Sequence, residues 1–372
     1  MNSATLKILT ALLLLLPTAA VAQRYAVRQI TTDDGLSNSC VVSIAQDKSG
    51  YIWIATEEGL NRFDGNSFEN FYKNDPPNSL SGNELNCIID DPRDSVLWIA
   101  TQRSGLNSFN YKTRQFNVFL PRHDQPDGIS SEAITKISPA KDGNIWIATY
   151  WGGVDYYDKA SGIFTHYGKA TVPGWCDGHI WTVTENFKNS RIYIGYNENG
   201  MAYYDRARKV YKTFAHDDHD PLSLPHNEVL SLLADSLGRV WVGTRNGLAR
   251  FDEKTETFLR LDTISAIASK AVFDIRLSHD NNLWLALELG GIAIIDLDNN
   301  YKCTVIREGD QGLDFTKKIE NIKGEPPSPL DLPPGCPFSN RCPRCTERCE
   351  HEKPKLVELT PGHEVACHRF TK

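Results

Sequence analysis

The stretch at residues 47–65, D-K-S-G-Y-I-W-I-A-T-E-E-G-L-N-R-F-D-G, returns in weakened form five more times, and this repetition constrains the fold more than any other feature. Its tryptophan, Trp53, reappears as Trp98, Trp146, Trp241 and Trp284, with Tyr193 in the remaining slot, at intervals of 43 to 48 residues. A period in the forties made of short β-prone segments fits a four-stranded propeller blade, whereas helical repeats of that length need apolar residues at 3.6 spacing. In the first copy, residues 41–46 read as a strand, 47–50 as a polar turn, and 51–56 as a second strand rich in aromatic and β-branched residues. Glu57-Glu58-Gly59 turns the chain into residues 60–63, Asp64-Gly65 turns it again, and 67–72 supply the outer strand. The expected fold is all-β: a β-propeller of six four-stranded blades with a small Cys- and Pro-rich irregular tail. The repeated aromatic stands in each second strand as glue between sheets.

Polar linkers recur in phase ahead of several blades, at residues 34–37, 75–80, 127–130 and 220–224. The group His216, Asp217, Asp218, His219 and Asp220 overlaps one of them and reads as a solvated turn rather than a metal site. Residues 24–30 are a strand candidate suited to completing the last blade, which would pair otherwise open edges. No seventh I-W-I-A-T follows Gly312, and K-G-E-P-P-S-P-L-D-L-P-P-G at 323–335 reads as an extended linker. The expected organisation is a leader at 1–22, a propeller at 23–314, a Pro-rich linker at 315–335 and a Cys-rich tail at 336–372.

The first 22 residues have Lys7 ahead of an apolar run at 8–16 and end in Ala20-Val21-Ala22, the pattern of a secretory signal peptide cleaved before Gln23. No later apolar stretch approaches the roughly 20 residues of a membrane-spanning helix, so no span is expected after cleavage, and the expected location is the periplasm. The formal net charge is -7, from 40 Lys and Arg against 47 Asp and Glu, which leaves no basic footprint for nucleic acid. Cysteine usage divides the chain. Cys40, Cys87, Cys176 and Cys303 are scattered through the repeats as small hydrophobes, while five more cluster between Cys336 and Cys367.

The repeat D-x-x-G-x-I-W-I-A-T-x-x-G-L-x-x-F-D, with the opening G-L-S-N-S-C-V-V-S-I-A-Q-D, resembles the periplasmic sensor region of Bacteroides-type hybrid two-component systems. The likeness covers roughly residues 24–314. It implies a ligand sensor for glycan-derived oligosaccharides. The family joins two propellers, usually seven-bladed, to a membrane helix, kinase and regulator; only six blades of the first are legible here. The tail motif G-C-P-F-S-N-R-C-P-R-C resembles the C-terminal extension of oligopeptide and dipeptide ABC-transporter ATPases, over about residues 317–372. The sequence has no G-x-x-x-x-G-K-S/T phosphate loop, so ATP hydrolysis does not carry over. That resemblance implies an iron-sulfur cluster on Cys336, Cys342, Cys349 and Cys367, with Cys345 departing from the pattern. From the residues alone, zinc, a cluster, a pair of disulfides and free thiols all stay open. An exported propeller and a cytosolic-type tail make an apparent chimera, and no single mechanism is built from both.

Propellers bind ligands where loops converge around the central channel. Aromatic and charged residues that break the repeat are therefore the expected ligand-binding set: Tyr150 and Trp151 in T-Y-W-G-G, Trp175 in P-G-W-C-D-G, and Arg245. Aromatic faces stack on sugars and Arg, Asn and Asp bond their hydroxyls, so a neutral oligosaccharide is the expected partner, alongside a second copy or another propeller domain. No cofactor is expected for the propeller. Catalysis is not expected either, because paired acids such as Glu57-Glu58 sit only in turn positions. The competing readings are a peptide-transporter remnant and a protein-interaction scaffold.

Overall fold

The computed structural model describes residues 29–307 apart from 75–77, 92, 123–126, 152 and 290, together with parts of 334–369. The expected leader and nearly all of the expected linker lie outside these residues, as does most of the strand expected at 24–30, of which Gln29 and Ile30 carry no strand. Two compact units separate, residues 30–313 and a unit made of 1–29 with 314–372.

Residues 30–313 form six antiparallel sheets of four strands, each sheet in chain order, at 41–71, 85–119, 134–167, 180–214, 229–260 and 272–306. The expected six-bladed propeller is therefore the observed one. Strand limits in the first blade, Val41–Gln46, Ile52–Thr56, Gly59–Phe63 and Phe68–Phe71, fall within a residue of the expected ones.

The repeat is a set of hydrogen bonds. Asp47 accepts from the backbone N–H of Ser49 at 2.8 Å and of Tyr51 at 3.1 Å, closing the turn, and from the Trp53 indole at 2.8 Å. Asp235 does the same for Leu237 and Arg239 at 3.0 and 2.9 Å and for the Trp241 indole at 3.1 Å. In the third blade Ala140 takes that position, and the Trp146 indole donates instead to Glu185 of the next blade at 2.9 Å. A buried N–H without a partner is costly, and a carboxylate meets that need at Trp53, Trp146 and Trp241, whereas the buried Trp98 indole N–H has no hydrogen-bond partner among the described residues. The threonine that ends I-W-I-A-T then closes the following turn, Thr56 Oγ1 donating to the Gly59 carbonyl and Thr149 Oγ1 to that of Gly153, both at 2.9 Å.

Trp53, Trp146, Tyr193 and Trp241 are fully buried between consecutive blades. Trp53 packs on Phe109 and Tyr111 of the second blade at 5.5 Å, and Trp98 on Tyr157 of the third at 5.5 Å. Trp284 is only half-buried, because its blade ends the series. The inner strands of neighbouring blades pack in chain order from the first to the sixth, but no packing of that extent joins the sixth to the first among the described residues. Ile44 on the first blade and Ile292 on the sixth are accordingly exposed. Of the expected strained or open six-bladed ring, the described residues show the open form.

The tail is less irregular than expected. It contains one helical turn, Glu347–His351, and a two-stranded hairpin of Leu356–Thr360 with His363–Ala366.

Candidate ligand-binding face

One face of the propeller is built from two loops per blade, the one that leads into the inner strand and the one that leaves the second strand. A backbone hydrogen bond ties them in every blade: Glu57 to Cys40, Gln102 to Glu84, Tyr150 to Ala133, Asn197 to His179, Arg245 to Glu228 and Glu288 to Ala271, at 2.9 to 3.2 Å. Just beyond each tie the inner strand slips register by one residue, at Val42, Asn86, Thr135, Trp181, Leu230 and Phe273. Such bulges re-aim a side chain. Asn86 and Thr135 use theirs to bond the next blade, at the carbonyls of Ile134 (2.8 Å) and Ile180 (2.9 Å). Trp181 is 37% exposed and donates its indole N–H to Asn197 Oδ1 at 2.7 Å.

These loops bring four aromatic rings together on the third and fourth blades. Tyr150 stacks on His179 with centroids 4.2 Å apart and planes 7° from parallel. Trp151 stands nearly perpendicular to both, at 4.8 Å from Tyr150 and 4.3 Å from His179, and Trp181 lies 6.0 Å from Tyr150. Trp151 is 72% exposed. On one side of this group lies a cavity of about 910 Å³, whose wall includes Asn86, Gln102, Arg103, Glu132, Tyr150, Trp151 and Trp181. On the other is a depression of about 420 Å³ lined by Trp151, His166, Lys169, Thr171, Trp175, Asp177 and His179.

Behind the outer depression the third blade buries an acidic side chain. Where the first two blades place Asn61 and Asn107 to accept the Ser37 and Ser81 N–H groups, the third places Asp155. Its fully buried carboxylate accepts the Ser130 N–H at 2.8 Å and pairs with His166 Nδ1 at 2.7 Å. Below the face, Lys136 Nζ lies 3.6 Å from Asp274 Oδ1 and joins the inner strands of the third and sixth blades. Burial pushes the Asp274 carboxyl up, but Lys136 and Arg276, the latter 2.9 Å away, outweigh it and hold the group below its ordinary value. A depressed carboxyl contributes stability above its unfolded pKa of about 3.9 and loses it as pH falls through the lower folded value. The melting temperatures of wild type and Asp274→Asn should thus differ most near pH 6 and converge toward pH 3. An unchanged gap at pH 3 would exclude this ion pair as the source.

Of the four expected ligand-binding residues, the structure brings Tyr150 and Trp151 together. Trp175 is 8% exposed, stacks on Tyr211 at 4.9 Å and shows the outer depression only an edge of a core side chain. Arg245 occupies the loop position equivalent to Tyr150 two blades on, between Glu228 and Glu288 at 3.8 Å each, and lines neither depression. His179 and Trp181 escaped the sequence reading. Trp181 carried the same signal as Trp151, a tryptophan outside the repeated strand position.

All nine cysteines are free thiols. Cys336 N–H donates to the Cys349 carbonyl at 2.7 Å and Cys345 N–H to that of Cys342 at 3.0 Å, so the backbone gathers this segment. A hydrogen bond from Thr346 lowers the Cys349 thiol pKa. Even so, no group of three or more His, Cys, Asp or Glu side chains among the described residues converges in a way that could hold a metal ion.

Residues 35–58, 128–151 and 223–246, which span the entries to the first, third and fifth blades, match the family Two component regulator propeller. The chain is similar to the extracellular domain of the hybrid two-component system BT3049 from B. thetaiotaomicron, with 40% identity and a TM-score of 0.70, over 78% of this chain and 38% of that one. The extracellular domain of BT4673 from the same organism shares the fold at 21% identity and a TM-score of 0.60, over 76% of this chain and 39% of that one. A stretch of 57 residues, 15% of this chain, is 46% identical to Histidine kinase P4 of Formosa agariphila and covers 4% of that protein. Residues 311–349 match a different family, Oligopeptide/dipeptide transporter, C-terminal region. A 49-residue stretch, 13% of this chain, is 47% identical to the oligopeptide transport ATP-binding protein YkfD of Bacillus subtilis and covers 15% of it. The chain thus carries a propeller of the two-component-regulator type and a short segment similar to peptide-transporter ATPases, and it spans well under half of each relative. No helix among the described residues is long and apolar enough to cross a membrane.

Proposed function

We propose that residues 23–314 are an exported, periplasmic ligand-sensing propeller that recognises a neutral, glycan-derived oligosaccharide, with the signalling output carried by a kinase outside this chain. The observation that carries this reading is the 910 Å³ cavity, whose wall combines Tyr150, Trp151 and Trp181 with the amides of Asn86 and Gln102 and the guanidinium of Arg103. Aromatic faces beside a few convergent polar groups suit a hydroxyl-rich ring, and the volume lies inside the range of roughly 300–1,000 Å³ common to small-ligand sites. The acidic balance of the chain and glutamates at Glu84, Glu132 and Glu228 on this face disfavour a polyanion.

The test is calorimetry of the full chain, freed of residues 1–22, against plant and host glycans. Heat is expected with at least one neutral oligosaccharide, and it should be lost on Trp181→Ala. No heat from any of them, with a folded circular-dichroism spectrum, would favour the interaction scaffold instead.

A further inference from the structure

The partition between the two depressions is itself a built feature. Tyr150 lines only the inner cavity and His179 only the outer depression, and the two are stacked back to back. Trp151 lines both, stands across the top of that stack and leaves 72% of its surface open. A ligand confined to either depression would meet only one side of this indole, whereas one that crosses it would use both. Each depression also carries polar side chains, Gln102 and Arg103 in the inner one and Thr171 and the Lys169–Asp177 ion pair in the outer one.

From this geometry we infer that the ligand is an extended oligosaccharide lying across Trp151, its inner end in the 910 Å³ cavity and its outer end in the 420 Å³ depression. The inference rests on the saccharide reading above and adds the ligand's length and path. Trp151 stacks on a sugar at the middle of the chain, and the outer depression contributes only when the ligand is long enough to reach Thr171.

Calorimetry of the full chain without residues 1–22 tests it, using cello-, manno-, xylo- and galacto-oligosaccharides of one to six units. In the series that binds, affinity should rise about tenfold between the dimer and the pentamer, the equivalent of about 1.4 kcal/mol. Trp151→Ala should remove that gain, Trp151→Phe should restore part of it, and Thr171→Ala should weaken the pentamer while sparing the dimer. Trp151 is exposed, so its two variants should keep the wild-type melting temperature. Affinity that stops rising at the mono- or disaccharide, or a Trp151→Ala variant that weakens short and long ligands equally, overturns the two-depression path and leaves the saccharide reading standing. No heat from any series, with a native spectrum, removes both.

Discussion

Replacing Trp146 by alanine is expected to lower the unfolding free energy by about 3–5 kcal/mol, the usual cost of removing a large aromatic from a packed core. The same change at Trp284 should cost less than half as much. Both hold the same place in the repeat, but Trp146 is fully buried, packs on Tyr156 at 4.7 Å and on Tyr167 at 5.6 Å, and is overlaid by the Arg206 guanidinium at 5.2 Å from the next blade. Its indole N–H also ends on Glu185 of that blade. Trp284 is half-buried at the end of the series, so truncating it returns less apolar area to water and leaves a smaller cavity. Urea unfolding followed by far-ultraviolet circular dichroism measures both. Equal costs would mean that the sixth blade is covered as fully as the third, contrary to the open ring.

The second large effect is expected at Gly153, which follows the loop that carries Tyr150 and Trp151. Its φ of 101° lies in the left-handed region, and an added Cβ would sit 2.3 Å from the Tyr167 carbonyl oxygen, a backbone atom that cannot step aside without breaking the pairing of the third and fourth strands. Gly162 in the same blade is the control, with φ at 74° and nothing within 4 Å of its Cβ position. Gly162→Ala should cost only the left-handed penalty of about 1–2 kcal/mol. Gly153→Ala should cost clearly more and should also reduce oligosaccharide binding, because the displaced strand carries the Trp151 loop with it. Denaturation midpoints and calorimetry on both variants decide the matter; matched stability losses would show that the collision relaxes freely.

The blade count, the strand limits and the burial of Trp53, Trp146 and Trp241 were legible in the sequence because they arise within one repeat. Asp47 and its turn, the indole it holds and the threonine that closes the next turn lie within thirteen residues of one another, so local spacing records them. Tyr150 and Trp151 were legible for the complementary reason, that they break the repeat in a loop. That criterion could not tell Trp175 from Trp151. The loop holding Trp175 folds inward and stacks it on Tyr211, 36 residues away, while Trp151 stays in solvent. Nor could it show that Arg245 is matched by Glu228 and Glu288, which come from separate loops of the fifth and sixth blades. The sequence by itself determined the blade and how many times it occurs. Which loops meet was decided by the rotation of each sheet against the next, and only that rotation sets His179 of the fourth blade under Tyr150 of the third and opens a depression on either side of Trp151.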